Sequence, residues 1–454
     1  MKVRRSLIAA AMLSTLISGA NAQTTDLTNL YQKAVENDLL VSQVALQKEI
    51  SDTLIDVQSA GLLPQINAYF AVQALKDSRD VQPTYGGTGS ASEAGVTLSQ
   101  ALYNPTVKIG VNIAEQNNRS AEILLTKAEE ALVLRTANAY FNVLRAKDLI
   151  EAESANIKAI EEYLAQTELR LRLGVASDLD YQEAKAQYDN AKARRIRADA
   201  LLESRLDVLK TLTNESFTGV EPLDKNLFYP EVPTSLSGQS WEKAAQRSNR
   251  DIQLASTAIE TAHLQVKRAK AGHLPTVSLV AGVQKTIHMD AEANLSTGGS
   301  ADVDVDSNLT SADIAVSANV PLYSGGRTTS LVKAATLELD IAHQVLEETH
   351  RNVDEQTAFA ERNTKTALES LSAYEQSLKS AESALIAVQK GYEAGTRTMS
   401  EVLTATGHVY LAQVQVANAR YDFIEQALTL KFIAGELSEK DITAINASLK
   451  KQNI

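Results

Sequence analysis

The sequence predicts a mainly helical, internally duplicated chain that also carries strands of the length and pattern that membranes demand. Three observations predict it. Two proline-free runs, Thr106 to Leu173 and Arg327 to Ala394, each reach a glycine turn and continue into a second helical run. A set of landmarks recurs 211 to 221 residues further along the chain. Four stretches of about ten residues alternate apolar and polar side chains with a period of two.

The first twenty-two residues read as an address rather than a fold element. Lys2, Arg4 and Arg5 form a positive start, and Leu7 to Ile17 is apolar but too short to span a bilayer as a helix. Ala20-Asn21-Ala22 is a small-x-small cleavage pattern. A secretory signal cut after Ala22 is expected, which takes the net charge from -12 to -12 - 3 = -15. Beyond it there is no run of eighteen apolar residues, so no transmembrane helix is expected. The acidic balance argues against a nucleic-acid partner. The chain holds no cysteine, which excludes disulfides, thiolate metal sites and a lipid anchor at the cut.

The repeat fixes the order of the rest. Leu63-Pro64 recurs as Leu274-Pro275, 211 residues on, and Leu102-Tyr103 as Leu322-Tyr323, 220 on. Gly174 recurs as Gly395, 221 on, while Ala34 and Asn37 match Ala245 and Asn249. Each copy opens on a helix, Leu27 to Ala60 and Trp241 to Ala271. Gly61 and Gly272 stand where a left-handed C-cap is expected, and Pro64 and Pro275 prevent continuation. The strands follow. Ile66 to Ala74 and Val96 to Leu102 belong to the first copy, Val277 to Val283 and Ala312 to Leu322 to the second. Long polar loops, Asp77 to Ser92 and Asp290 to Thr310, join them. Each strand is long enough to cross a bilayer at a tilt.

Then come the rods, 68 residues each, or about 100 Å at ~1.5 Å per residue. Leu134, Ala137, Phe141 and Leu144, then Ile157, Ile160 and Leu164, recur at three and four. Val414, Ala417, Tyr421, Ile424 and Leu428 do the same in the last helix. Such seams mean helix against helix. A Pro-, Ser- and Gly-bearing linker runs from Asn214 to Gln239, and a short polar tail follows Gly435 with one short helix at Glu439 to Leu449. The expected organisation is thus a signal over 1–22, a first repeat over 23–239, and a second repeat with its tail over 240–454.

Four strands cannot close a barrel, since about eight is the smallest useful number. An open sheet edge in lipid leaves backbone groups unpaired at several kcal/mol each. The chain must therefore associate with copies of itself. Two copies give eight strands and three give twelve; twelve leave a lumen that suits the polar positions better.

Several stretches resemble one family, the TolC family of outer-membrane efflux ducts. They are Thr136-Ala137-Asn138-Ala139-Tyr140-Phe141-Asn142-Val143-Leu144, Gly272-His273-Leu274-Pro275-Thr276, Pro321-Leu322-Tyr323-Ser324-Gly325-Gly326, Gly391 to Thr398, and Ala417-Asn418-Ala419-Arg420-Tyr421. The likeness covers about Leu27 to Ala447; the outer loops and the short tail depart from it. The resemblance implies a homotrimer: a long α-helical coiled-coil barrel in the periplasm, and an outer-membrane β-barrel of four strands per chain completed by trimerisation. It further implies a periplasmic adaptor and an inner-membrane pump or ABC exporter as partners. Drugs, bile salts or polypeptides would be the cargo, with no reaction catalysed and no cofactor. The competing reading is a periplasmic adaptor protein. An adaptor has one hairpin flanked by compact β domains, against which the duplication speaks.

Gly174 and Gly395 read as C-cap turns between antiparallel helices. The resemblance makes them the periplasmic tips that meet the adaptor. Ser177-x-x-Asp180 and Thr398-x-x-Glu401 are capping-box patterns. The resemblance gives the same acids a second role: Asp180 bonds Tyr392 across helices, Arg397 joins that latch, and Glu401 projects into the aperture. Three copies of Glu401 would favour cations. The family's second aperture acid falls at Thr404, so a weaker cation block is expected. The run Asp302-Val303-Asp304-Val305-Asp306 lacks the glycine and final Glu of an EF-hand loop. The six histidines show no metal spacing, and no P-loop, dinucleotide fingerprint or nucleophile-base pair is present.

Overall fold

The computed structural model describes residues 24–76, 88–224, 230–236, 238, 240–294, 300–303 and 309–449. The expected signal peptide lies outside the described residues, as do Asp304 to Asp306 and parts of both outer loops. The first copy contributes β1 (Thr24–Thr25), α1 (Leu27–Asn37), α2 (Leu39–Ala60), β2 (Gln65–Lys76), β3 (Thr88–Tyr103), α3 (Pro105–Arg172), α4 (Asp178–Thr213) and β4 (Gly219–Val220). The second contributes α5 (Trp241–Ser248), α6 (Arg250–Ala271), β5 (Thr276–Asn294), β6 (Ser300–Val303), β7 (Leu309–Asn319), α7 (Arg327–Glu393), α8 (Met399–Ile433) and α9 (Glu439–Asn446). The rods end within a residue or so of where proline and glycine placed them.

Three expectations are corrected. The opening helix of each copy is two helices, not one. Asp38 breaks the first at ψ 115° and Asn249 the second at ψ 131°. The same local exchange of hydrogen bonds explains both. Asp38 Oδ1 accepts from the Val41 backbone N–H at 2.8 Å, and Asn249 Oδ1 from that of Asp251 at 2.8 Å and that of Ile252 at 3.1 Å. A short polar side chain thus caps the new helix it has interrupted. The structural counterpart of Asn249 is therefore Asp38, not Asn37. Secondly, neither Gly61 nor Gly272 has a positive φ. Each helix instead ends in tightened turns, with Gly61 N–H donating to Gln58 and Gly272 N–H to Ala269. The glycines are there for space: a Cβ on Gly61 would lie 3.0 Å from Val107 Cγ1, and one on Gly272 3.1 Å from Thr328 Cγ2. Thirdly, the outer loops are shorter than expected. β3 begins at Thr88, β5 runs on to Asn294, and the short β6 adds a strand inside the second loop.

The chain divides into two compact units, and each draws on both copies. One comprises residues up to 45, 124–253 and 349 onward. Its core is apolar and aromatic. Leu27 and Leu30 of α1, Val133, Ala137, Tyr140, Phe141 and Leu144 of α3, Leu209 of α4, and Tyr421, Ile424 and Leu428 of α8 form one buried cluster. Phe141 of α3 and Tyr421 of α8, one from each copy, stack at 5.9 Å. Their neighbours are satisfied: Tyr140 Oη donates to the Glu221 carbonyl at 2.7 Å and Tyr421 Oη to Asp148 at 2.8 Å. Burial raises both phenols well above the ordinary range. Leu437, Ile442 and Leu449 close the tail onto this core, and the Asn446 side chain accepts from the Leu27 N–H at 3.0 Å.

The other unit, 46–123 and 254–348, carries the antiparallel sheet in the order β2-β3-β5, with β7 and β6 both on β5. Its register separates the two faces. Ile66 pairs with Leu98, Leu98 with Ala281, and Ala281 with Ile314. In the next row Asn67 pairs with Thr97, Thr97 with Gly282, and Gly282 with Asp313. One face is therefore apolar across all four long strands and the other polar. The apolar face is bare: Phe70 is 72% and Ile314 76% exposed in the single chain. Among the described residues, β2 pairs only with β3 and β7 only with β5, which leaves an open edge at each side. In the same unit α2 presents Leu46, Ile50, Leu54 and Val57 exposed along one side. Among the described residues no helix is long and apolar enough to cross a membrane.

Candidate functional site

The hairpin turns carry most of the residues that the sequence singles out. In the first, the Val175 N–H donates to the Arg170 carbonyl at 2.9 Å and the Gly174 N–H to that of Leu171 at 3.0 Å. In the second, Thr396 donates to Gly391 at 2.8 Å and Gly395 to Tyr392 at 3.0 Å. Gly174 and Gly395 both have φ 74°. These are two copies of one Schellman turn, in which only a residue without Cβ sits at no cost.

The residue that caps the next helix stands three residues later in both, Ser177 and Thr398. Asp180 Oδ2 accepts from the Ser177 N–H at 3.0 Å and from its hydroxyl at 2.8 Å. The Asp180 N–H returns a bond to Ser177 Oγ at 3.1 Å. Glu401 Oε2 accepts from the Thr398 N–H at 2.7 Å and the Thr398 hydroxyl at 3.1 Å. Its other oxygen takes Arg397 at 2.6 Å. Both capping boxes are complete. The Thr398 backbone N–H, and then Arg397, hold the Glu401 carboxyl below the usual carboxylate range.

Tyr392 lies half-buried against a cluster drawn from both hairpins: Ile160 of α3, Ala184 and Ala191 of α4, and Met399, Val402 and Leu403 of α8. The Arg170 guanidinium stands over its ring at 4.5 Å. Among the described residues no hydrogen bond joins Asp180 to Tyr392; in the single chain that acid is engaged by Ser177. Arg397 is exposed and crosses the last turn of α7, where a Cβ on Gly391 would lie 2.6 Å from its Cγ. Thr404, one turn beyond Glu401, is exposed and donates to the Ser400 carbonyl at 2.8 Å.

Sequence reasoning missed three features here. Arg170 gave no signal, because a cation over a ring depends on two helices meeting. Leu173, Val175 and Leu179 surround the first tip and are exposed, an apolar patch that short-range patterning hides among turn residues. Further along, buried Glu153 of α3 accepts from Arg194 of α4 at 3.0 Å and from the Tyr410 hydroxyl of α8 at 2.6 Å. Burial, then the bond to Glu153, pushes Tyr410 up to about 12. This network ties three helices through one carboxylate. Among the described residues no group of three or more His, Asp or Glu could hold a metal ion.

Residues 30–215 and 241–436 each match the family model described as outer membrane efflux protein. The outer membrane protein TolC of Vibrio cholerae is 32% identical over 99% of both chains. The proteases secretion protein PrtF of Dickeya chrysanthemi is 22% identical over 98% of this chain and 95% of its own. Among solved structures, CusC, whose transmembrane channel formation has been described, superposes with a TM-score of 0.77 at 17% identity, covering 93% of this chain and 95% of that one.

Proposed function

Because the chain belongs to the outer membrane efflux protein family, we propose that three copies of it assemble into a gated export duct. The protein is an outer-membrane channel of efflux and type I secretion, extending into the periplasm. The observation that carries the trimer is the sheet. One chain supplies four long strands with a bare apolar face, a polar face and two open edges. Lipid tolerates the apolar face and forbids the edges. Twelve strands from three chains close the edges and enclose the polar face around a passage. The exposed α2 seam is buried in the same assembly.

Within this reading, cleavage after Ala22 delivers the mature chain, and the repeats 23–239 and 240–454 supply equivalent strand pairs and hairpins. Gly174 and Gly395 mark the tips, and the apolar skirt of Leu173, Val175 and Leu179 is the surface that a periplasmic adaptor covers. Asp180, Tyr392, Arg397, Glu401 and Thr404 form the gate and aperture. The partners are that adaptor and an inner-membrane pump or ABC exporter, with small toxic compounds or polypeptides as cargo. We assign no catalytic step and no cofactor. Purified mature protein, crosslinked in detergent and then reconstituted in planar bilayers, should run as a trimer and give discrete conductance steps. A monomer that leaves bilayers silent would overturn the proposal.

A further inference from the structure

On the polar face of the sheet, one side chain lies across its neighbours instead of standing up from them. Tyr69 of β2 pairs directly with Gly95 of β3, and Gly95 in turn with Gln284 of β5. The Tyr69 hydroxyl donates to Glu93 Oε1 at 2.7 Å and lies 3.1 Å from Gln284 Oε1. Tyr69 and Gln284 start on strands two spacings of ~4.8 Å apart, and their side chains meet above β3, so the ring leans over Gly95. Gly95 makes that posture possible. A Cβ there would sit 2.8 Å from the ring's Cε1 and 2.9 Å from Cζ and Oη. These atoms are the far end of a rotatable side chain. A methyl group at 95 would therefore lift the ring and leave the strand in place.

The surroundings give the posture a purpose. The same face carries Asn67, Thr97, Gln284 and Asp313, residues content in water, and among the described residues no other Phe, Tyr or Trp shares it with Tyr69. A ring has little to gain by lying against such a wall except the bond to a carboxylate, which is stronger than a neutral hydrogen bond. Released from Glu93 and from the gap over Gly95, the phenol would stand away from the sheet. We propose that Tyr69 sets the size cut-off of the passage at the level of the sheet, and that Gly95, Glu93 and Gln284 hold its ring against the wall to keep the passage wide. The inference rests on the reading that the polar face lines a passage, and it adds the residue that fixes its width there.

The absence of cysteine allows a clean test in the full-length protein. Ser99→Cys puts a lone thiol on the same face, four residues along β3 from Gly95 toward the helices. Maleimides of graded size are applied from outside to cells that carry the protein in their outer membrane. With Tyr69 in place the thiol should react with both small and bulky reagents. Gly95→Ala should slow the bulky reagent several-fold and leave the small one unchanged. Tyr69→Phe, which keeps the ring but loses its anchor, should act in the same direction. Adding Tyr69→Ala to Gly95→Ala should restore access. Unchanged size dependence in both Gly95→Ala and Tyr69→Phe would overturn the proposal. So would a loss in Gly95→Ala that persists without the ring, since the wall itself would then be at fault. A thiol at 99 closed even to the smallest reagent, in protein shown to be trimeric and membrane-borne, would overturn the lumen reading and the proposal together.

Discussion

Glu401 engages both oxygens of one carboxylate in structure, and the aperture role proposed for it rests on the same group. One oxygen caps α8 through Thr398 and the other meets Arg397. Its lowered pKa means that the charged form is favoured in the folded tip. That contribution is present above the ordinary glutamate range and is lost as the pH falls through the lowered value. Acid should therefore loosen the first turn of α8, seen as faster exchange of its amides relative to the free peptide. The two roles can be separated by substitution. Gln retains the capping box but carries no charge, so Glu401→Gln should weaken cation preference in single-channel reversal potentials without fraying the tip. Glu401→Lys removes both and should also fray the first turn of α8. Cation preference untouched by either change would remove Glu401 from the aperture.

At the scale of elements, the two tips offer a matched pair. Gly174 and Gly395 have the same φ, and a Cβ on either would meet nothing within 4 Å. The cost of Ala is therefore purely conformational, about 1–2 kcal/mol at each, and should be nearly equal in the two hairpins. Protease sensitivity at the turns would read it, and a large difference between the two would show that the turns are not equivalent. Gly61 behaves differently. Its φ is ordinary and its constraint is Val107, so Gly61→Ala should be relieved by Val107→Ala, whereas nothing in the neighbourhood of Gly174 can relieve a side chain there.

At the scale of the whole molecule, the decisive property is which face of the sheet meets lipid. Phe70 and Asn67 are three residues apart on one strand and belong to opposite faces. Phe70→Lys should cost about 2–4 kcal/mol if it reaches the bilayer midplane, and should lower the yield of assembled trimer in membranes. Asn67→Lys should assemble normally and change only ion selectivity. Equal yields for the two variants, or a loss for Asn67→Lys alone, would reverse the assignment of faces.

The sequence by itself determined the order of parts, the repeat, the strand periodicity and the ends of the rods. These follow from local chemistry: prolines that cannot donate, glycines at left-handed turns, and side chains whose spacing matches a strand or a helix. It also located both capping boxes, because Ser177 and Asp180, or Thr398 and Glu401, need only one turn of helix to meet. Only the tertiary structure decided what depends on distant segments meeting. The ion pair that Arg135 of α3 makes with Asp38 at 3.0 Å cannot be read until the two helices meet. The same is true of Arg170 over Tyr392, Glu153 between Arg194 and Tyr410, and the ring of Tyr69 over Gly95. Each of these is a contact between elements, and a one-dimensional pattern fixes which side of an element faces inward without fixing what it will find there.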